Sequence, residues 1–439
     1  MSEINFDGLI GPTHNYSGLS EGNNASKKNY SSPSNPKNAA LQGIKKAETL
    51  IACGLKQGFF LPHERPFIPG LKKLGFNGTD EEILSSAFNH SMVLLSNFSS
   101  ASSMWAANAA TISPSPDTQD NKVHLTPANL NTMFHRSIET EFTYQQCKII
   151  FPKKYFEIHK PAVTISGYGD EGAANHLRIS KSHNEKGFEI FVYGDSGFKN
   201  DKKLVKRQAL EVSRSIAINH KLDMNNTFFL QQNHQAVEDG SFHNDIVSLS
   251  NENVLIAHEK AFQNIDDLNK ILNILESKID NFQYIEISNS EIPLKDIINS
   301  YLLNSQLITN GDNEMQLILP EEVKGYENCM SWLNKLKQIS DVKLFDFVDI
   351  RQSMMNGGGP ACLRLKVILN DEELESLNQN FLMNSDRLES IKLLIEREYR
   401  DVLYPDDLKD PNLLDESRRI LDELTQIFET GSIYEFQKL

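Results

Sequence analysis

Strand-like and helix-like segments alternate along almost the whole of this 439-residue chain, and the alternation restricts it to an α/β or α+β architecture. Short runs rich in Val, Ile, Leu, Phe and Tyr predict strands at Phe188–Tyr193, Thr227–Gln231, Val254–Ala257, Tyr284–Ile287, Met315–Leu319 and Val342–Val348. Helical spacing of apolar residues lies between and around them. Ala39–Cys53 meets Gly54 as a stop, and Val205, Ala209, Val212 and Ile216 form one stripe. Further helices are predicted over Asp266–Ile279, Pro293–Ser305 with Pro293 as first residue, Glu321–Leu336, Asp386–Tyr399 and Leu413–Phe428. The polar stretch 23–38 (NNASKKNYSSPSNPKN) reads as a long surface loop. Length alone suggests two or three domains.

Composition narrows the class of function. A net charge of −15 disfavours nucleic acid and anionic membrane as partners. No apolar run approaches the length of a bilayer span, and MSEINFDGLI at residues 1–10 has no signal-peptide pattern, so a cytoplasmic protein is expected. Cys53, Cys147, Cys329 and Cys362 are dispersed and form no CxxC pair, which argues against a disulfide framework and against a thiolate zinc site.

Polar clusters rich in Gly, Asn and His recur beside apolar segments. They lie at Gly11–Asn15, Trp105–Asn108, Gly169–Gly172, Phe242–Asp245 and Asn356–Cys362, a repetition expected of a supersecondary unit whose loops converge on one site. In the last of them, NGGGPAC runs into Leu363–Leu369, a strand pattern. Its glycines permit close backbone approach to a ligand, and Cys362 sits where an open loop meets a rigid element. Taken alone, this segment reads more readily as a buried cysteine at a strand start than as a catalyst.

Other residues supply what a reactive thiol would need. Residues 166–176 (SGYGDEGAANH) hold Asp170, Glu171 and His176 among glycines. Residues 232–245 hold His234 and His243 with Glu238, Asp239 and Asp245, followed by Ile246–Leu249 as a predicted strand; His243 and Asp245 would share one face of an extended chain. Their spacing fits neither HExxH nor another zinc pattern. Arg136 and Arg207 can hold carboxylates through paired donors, although Arg207, lying off the 205/209/212/216 stripe, reads locally as a solvated helix face. A free thiol is mostly protonated at neutral pH, so a nucleophilic cysteine requires an imidazole or a positive field beside it.

Four stretches taken together resemble the N-succinylarginine dihydrolase family: FDGLIGPTHNYSGLS at 6–20, GDEGAANH at 169–176, SFHNDI at 241–246 and NGGGPACLRL at 356–365, in the same order and at similar separations. That family belongs to the guanidino-group-modifying enzymes with the α/β five-bladed propeller (pentein) fold, a pseudo-fivefold repeat of ββαβ-type modules. The resemblance therefore implies one catalytic domain over residues 1–439. It also implies Cys362 as nucleophile, His243 as general acid/base and Glu171 as the carboxylate working with His243. Substrate contacts are implied for Ser17, Gly18, Leu19, Ser20, Glu21, Gly22, Asn23, Asn24, Ala25 and Ser26, and for Asn108, His135, Arg136, Arg207, Asp245 and Asn356. Position 17 is Ser where Ala is expected in the family; both are small.

The implied reaction takes N-succinylarginine and two waters to N-succinylornithine, two ammonia and carbon dioxide through a cysteine thioether, in arginine catabolism. It implies no cofactor and no metal, a small-molecule substrate, and a cytoplasmic homodimer. Three alternatives remain open on the residues alone: a deiminase of the arginine or agmatine type that stops after one hydrolysis, a guanidino-compound binding protein, and a metallohydrolase built on His234 and His243.

Overall fold

The computed structural model describes residues 1–194 and 207–438. Its strands form five three-stranded sheets, each with the same internal order. An inner strand runs antiparallel to a middle strand, which runs parallel to an outer one. The first sheet is β15(Arg364–Leu369)–β1(Ser2–Gly8)–β2(Lys56–Phe60). The second is β3(Ala110–Ser113)–β4(Val123–Pro127)–β5(Phe156–Ile158), and the third β6(His176–Ile179)–β7(Phe188–Tyr193)–β8(Thr227–Gln231). The fourth is β9(Ser248–Asn251)–β10(Val254–His258)–β11(Gln283–Ile287), and the fifth β12(Gln306–Thr309)–β13(Met315–Pro320)–β14(Val342–Val348).

Parallel strands cannot be joined by a tight turn, so each middle–outer pair carries a crossover helix. Pro36–Ala52, Thr140–Ile150, Leu210–Asn219, Ile265–Lys278 and Glu327–Ile339 fill that place in the five sheets. Every sheet is thus a ββαβ unit, the first assembled from β1 and β2 near the start of the chain and β15 some three hundred residues later. The middle strands are covered on both faces, which is why VLIAH in β10 and MQLILP in β13 are buried at every position. The helices each bury one stripe; in Ile265–Lys278 it is Leu268, Ile271, Leu272 and Leu275. Capping fixes their ends. Asn35 accepts from the Asn38 amide at 2.7 Å ahead of Pro36, and Gly54, with φ +86°, ends the same helix as its sequence predicts.

The six predicted internal strands all form, within a residue at their ends. Several other expectations are corrected. The 23–38 stretch is no plain surface loop: Asn23 caps a short helix, Asn24–Lys28, and Asn23, Ser26, Ser34 and Pro36 are buried. The helix predicted over 293–305 covers only Leu294–Ser300, because Tyr301 takes a left-handed conformation at φ 57°. Pro293 precedes it as its cap. The 321–336 helix is divided at Tyr326 into a 3₁₀ turn and Glu327–Ile339. The strand at Ile246–Leu249 begins only at Ser248, since 244–246 form a 3₁₀ turn; His243 and Asp245 are therefore not on one extended chain. Val205 of the 205–216 stripe lies outside the described residues, and the helix there starts at Leu210, beyond Arg207.

Candidate active site

The site is built where the chain enters the inner strands. Asn108 stands two residues before β3, Glu171 five before β6, Asp245 three before β9, Asn304 two before β12 and Cys362 two before β15. Because the five sheets repeat one topology, these five entrances lie at corresponding places in the fold. Hydrogen bonds join four of the five neighbouring pairs. Asn108 donates to the Glu171 carbonyl at 2.7 Å, Asn304 donates to the Asp245 carbonyl at 3.1 Å, and Ala361 donates to the Asn304 carbonyl at 3.0 Å. The Ala107 amide closes the run on the Cys362 carbonyl at 3.1 Å. The remaining cluster, Gly11–Asn15, follows β1, and the Asn15 carbonyl accepts from Asn356 at 3.2 Å. All five polar clusters are brought together.

Glu171 is fully buried and fully used. Its Oε2 accepts from Arg136 Nη1 at 2.8 Å and lies 2.8 Å from His243 Nε2; its Oε1 accepts from Thr132 at 3.0 Å. Burial by itself would push this carboxyl up, but Arg136, the His243 ring and Arg207 outweigh it and hold it well below the usual range. The His243 ring shows the opposite balance. Burial dominates and lowers it to about 4 despite the Glu171 carboxylate, so the imidazole is neutral at neutral pH. With Nε2 on Glu171, its Nδ1 is buried without a hydrogen-bond partner.

Cys362 is 4% exposed, and its Sγ lies 3.7 Å from Asp245 Oδ2. Burial first, and then the Asp245 charge, push the thiol well above its ordinary value. Burial likewise raises the Asp245 carboxyl to about 7, against opposing hydrogen bonds from Asn304 and Cys362. The thiol consequently rests protonated beside a carboxyl whose ionisation is disfavoured, and a cation entering the site would favour ionisation of both.

The glycines before Cys362 are explained by what surrounds them. A Cβ on Gly357 (φ +104°) would lie 1.9 Å from Asn23 Nδ2, one on Gly358 2.4 Å from Trp105 Nε1, and one on Gly359 2.5 Å from Asn304 Oδ1. Asn304 also accepts from the Gly359 amide at 2.9 Å.

The 17–26 segment reaches this centre through its backbone and through Ser20 and Asn23. Ser20 Oγ is 3.3 Å from His135 Nε2, and Asn23 donates to the Asn356 carbonyl at 3.4 Å. The Glu21 carbonyl accepts from Arg207 Nη2 at 2.6 Å while the Glu21 side chain is exposed. Gly18 and Gly22 both take positive φ, and Ser26 donates its amide to Asn23. Among the described residues no hydrogen bond joins Ser17, Leu19, Asn24 or Ala25 to Glu171, His243, Asp245 or Cys362; Asn24 turns to the Asp239 carbonyl at 3.4 Å.

Both predicted arginines are buried, which corrects the local reading of Arg207 as a solvated helix face. Arg207 lies over the Phe242 ring at 4.4 Å, and burial lowers it to about 10. Arg136 Nε and Nη2 and Arg207 Nε are buried donors with no hydrogen-bond partner. Burial, with Arg136 and Arg207 nearby, lowers His135 to about 3. His234, by contrast, stands apart on the Gln231 side chain. Among the described residues no group of three or more His, Cys, Asp or Glu side chains has the geometry to hold a metal ion. Asn304, Thr132 and Gln208, whose Oε1 accepts from the Glu171 amide at 2.7 Å, escaped the sequence reading.

Residues 1–437 match the family described as Succinylarginine dihydrolase. The chain belongs to that family. The N-succinylarginine dihydrolase of Idiomarina loihiensis is 46% identical over 444 residues, covering 99% of each chain. That of Aliivibrio fischeri is 47% identical over 442 residues with the same coverage. Among solved structures, the N-terminal domain of ArgZ, an arginine dihydrolase from the ornithine–ammonia cycle in cyanobacteria, shares the fold at TM-score 0.53 with 14% identity, covering 84% of this chain and 98% of that one. This member of the succinylarginine dihydrolase family holds a buried thiol beside one carboxylate, an imidazole on another, and buried arginine donors without hydrogen-bond partners. Such a constellation suits nucleophilic attack on a cationic, planar carbon whose substrate also carries carboxylates.

Proposed function

We propose that this chain hydrolyses N-succinylarginine to N-succinylornithine, two ammonia and carbon dioxide, with Cys362 as nucleophile, His243 as general acid/base and Glu171 holding the imidazole. The observation that carries the reading is the buried row in which Glu171 pairs with the Arg136 charge and hydrogen-bonds the His243 ring, together with the Cys362–Asp245 contact. The substrate's guanidinium supplies the cation that Asp245 lacks, favouring the ionised carboxylate and the thiolate together. Cys362 Sγ, its proton passed to His243, then attacks the guanidinium carbon, the C–N bond to one terminal nitrogen breaks, and His243 hands that proton to the nitrogen, which leaves as ammonia. Water, losing a proton to His243, adds to the amidino-thioether carbon and the C–S bond breaks, leaving the ureido compound and the thiol. A second round on the ureido carbon releases the second ammonia and a carbamate, which loses carbon dioxide. In sum, RNH–C(NH₂)₂⁺ and two H₂O give RNH₃⁺, two NH₃ and CO₂.

The orphaned N–H groups of Arg136 and Arg207 are suited to the two carboxylates of the substrate, and they support the choice of a succinylated arginine over free arginine. The same reading takes residues 1–439 as one catalytic unit, the five ββαβ sheets as blades around a common axis, and the active species as a cytoplasmic homodimer. Counting ammonia decides the reaction: two per N-succinylarginine consumed is expected, with far slower turnover of arginine and agmatine. One ammonia and a ureido end product would make the chain a deiminase instead.

A further inference from the structure

Against Asp245, the partner of Cys362, lies a cavity of about 150 Å³ that the steps above do not use. Asp245 and Ala361, the residue before the nucleophile, form its roof. Its walls come from all five sheets: Ile112 on β3, Arg178 on β6, Ser250 on β9, Ser305 at the entry to β12 and Lys366 on β15. The period of a strand explains the alignment, since residues 364, 366 and 368 follow position 362 on one face of β15 and all three line the cavity. The lower end reaches solvent past Lys366 and Glu252, whose side chains keep 24% and 16% of their accessible surface. The charges along it are matched: Arg364 and Lys366 lie 2.8 and 3.3 Å from Glu3, and Arg178 donates to Asp117 at 3.1 Å. Such walls hold water well without trapping an ion. At about 10–15 Å³ per molecule there is room for on the order of ten waters.

The proposed reaction creates a need for a passage of this kind. Two waters must arrive and two ammonia must depart while the succinylornithine portion stays bound between the first and second hydrolysis. On the other side of the thiol the 17–26 segment is fastened to the Asn356–Gly357 turn and to Arg207. We propose that the axial cavity is the route by which hydrolytic water enters and ammonia leaves while the organic intermediate occupies the substrate side. This rests on the dihydrolase reading and extends it. No bond chemistry is added: the passage carries neutral H₂O inward and neutral NH₃ outward.

Narrowing the cavity away from the reacting groups tests it. Ser250→Leu and Ile112→Phe, on two different sheets, are compared with wild type and with Ser250→Ala, which leaves the bore open. Expected for the narrowed variants are an unchanged KM for N-succinylarginine, a kcat lower by at least about fivefold, and escape of the ureido intermediate into solution, with Ser250→Ala behaving as wild type. Melting temperature separates blockage from damage to the fold. Narrowed, folded variants that keep wild-type kcat and release no ureido compound would overturn the proposal. Failure of both to fold would also count against it, because the walls would then be packed core. A wild-type protein that released no ammonia from N-succinylarginine would refute the proposed function, a different outcome from unaltered variants of an active enzyme.

Discussion

One oxygen, Glu171 Oε2, meets both Arg136 and His243 at 2.8 Å, so a single carboxylate orients the ring and neutralises a guanidinium buried at 1% exposure. Glu171→Gln removes both functions. It should lower kcat/KM by roughly a hundredfold or more and destabilise the fold by about 3–5 kcal/mol, since Arg136 is left an uncompensated buried charge; steady-state kinetics and denaturant titration measure the two effects. Asp245 predicts a pH effect of defined sign. Folding raises its carboxyl from an ordinary 3.8 to about 7, so the folded state favours its protonated form. That stabilisation is fully present below the unfolded value, declines as pH rises, and is lost above about 7. Asp245→Asn should therefore raise Tm relative to wild type at pH 8 and by less at pH 5, as read by calorimetry. The same substitution should abolish turnover. Cys362, His243 and Glu171 could be proposed from sequence only as a set, because they lie far apart in the chain. Cys362 viewed locally is what its segment suggested, a buried thiol at a strand entrance.

At the scale of elements, the inner-strand entrances carry the site, and the NGGG turn is the tightest of them. Gly358→Ala places a methyl group 2.4 Å from Trp105 Nε1 and should lower both Tm and kcat, whereas Gly325→Ala, with nothing near its Cβ, should leave activity unchanged. Thermal melts with parallel activity assays check the pair. The middle strands β7, β10 and β13 were legible because continuous apolar runs signal burial on both faces, whereas β1 and β4, interrupted by polar residues, were not. Asn304 was not, because Leu302 and Leu303 prolong the helical pattern of Leu294–Ser300 and only the left-handed Tyr301 ends it. The 23–38 stretch was misjudged for a related reason: its polar side chains, Asn23 above all, bond inward to backbone in place of water.

For the whole molecule, five copies of one ββαβ unit bring loops separated by 341 residues into hydrogen-bond contact, as Asn15 and Asn356 demonstrate. Alternation of strands and helices was visible in the chain; the pairing of β15 with β1 was not, because long-range partners leave no local periodic trace. Arg207, held between Phe242 and the Glu21 carbonyl, ties the 17–26 segment to the centre. Arg207→Ala should raise KM for N-succinylarginine roughly 10- to 100-fold with a smaller change in kcat, and an unchanged KM would remove it from the site. The account depends most on covalent chemistry at Cys362. Acid quenching during turnover of N-succinylarginine labelled at its guanidino carbon tests this directly. Label recovered on the peptide containing Cys362, and lost together with turnover in Cys362→Ser, is the predicted result. Undiminished turnover by Cys362→Ser, or label on any other residue, would contradict it.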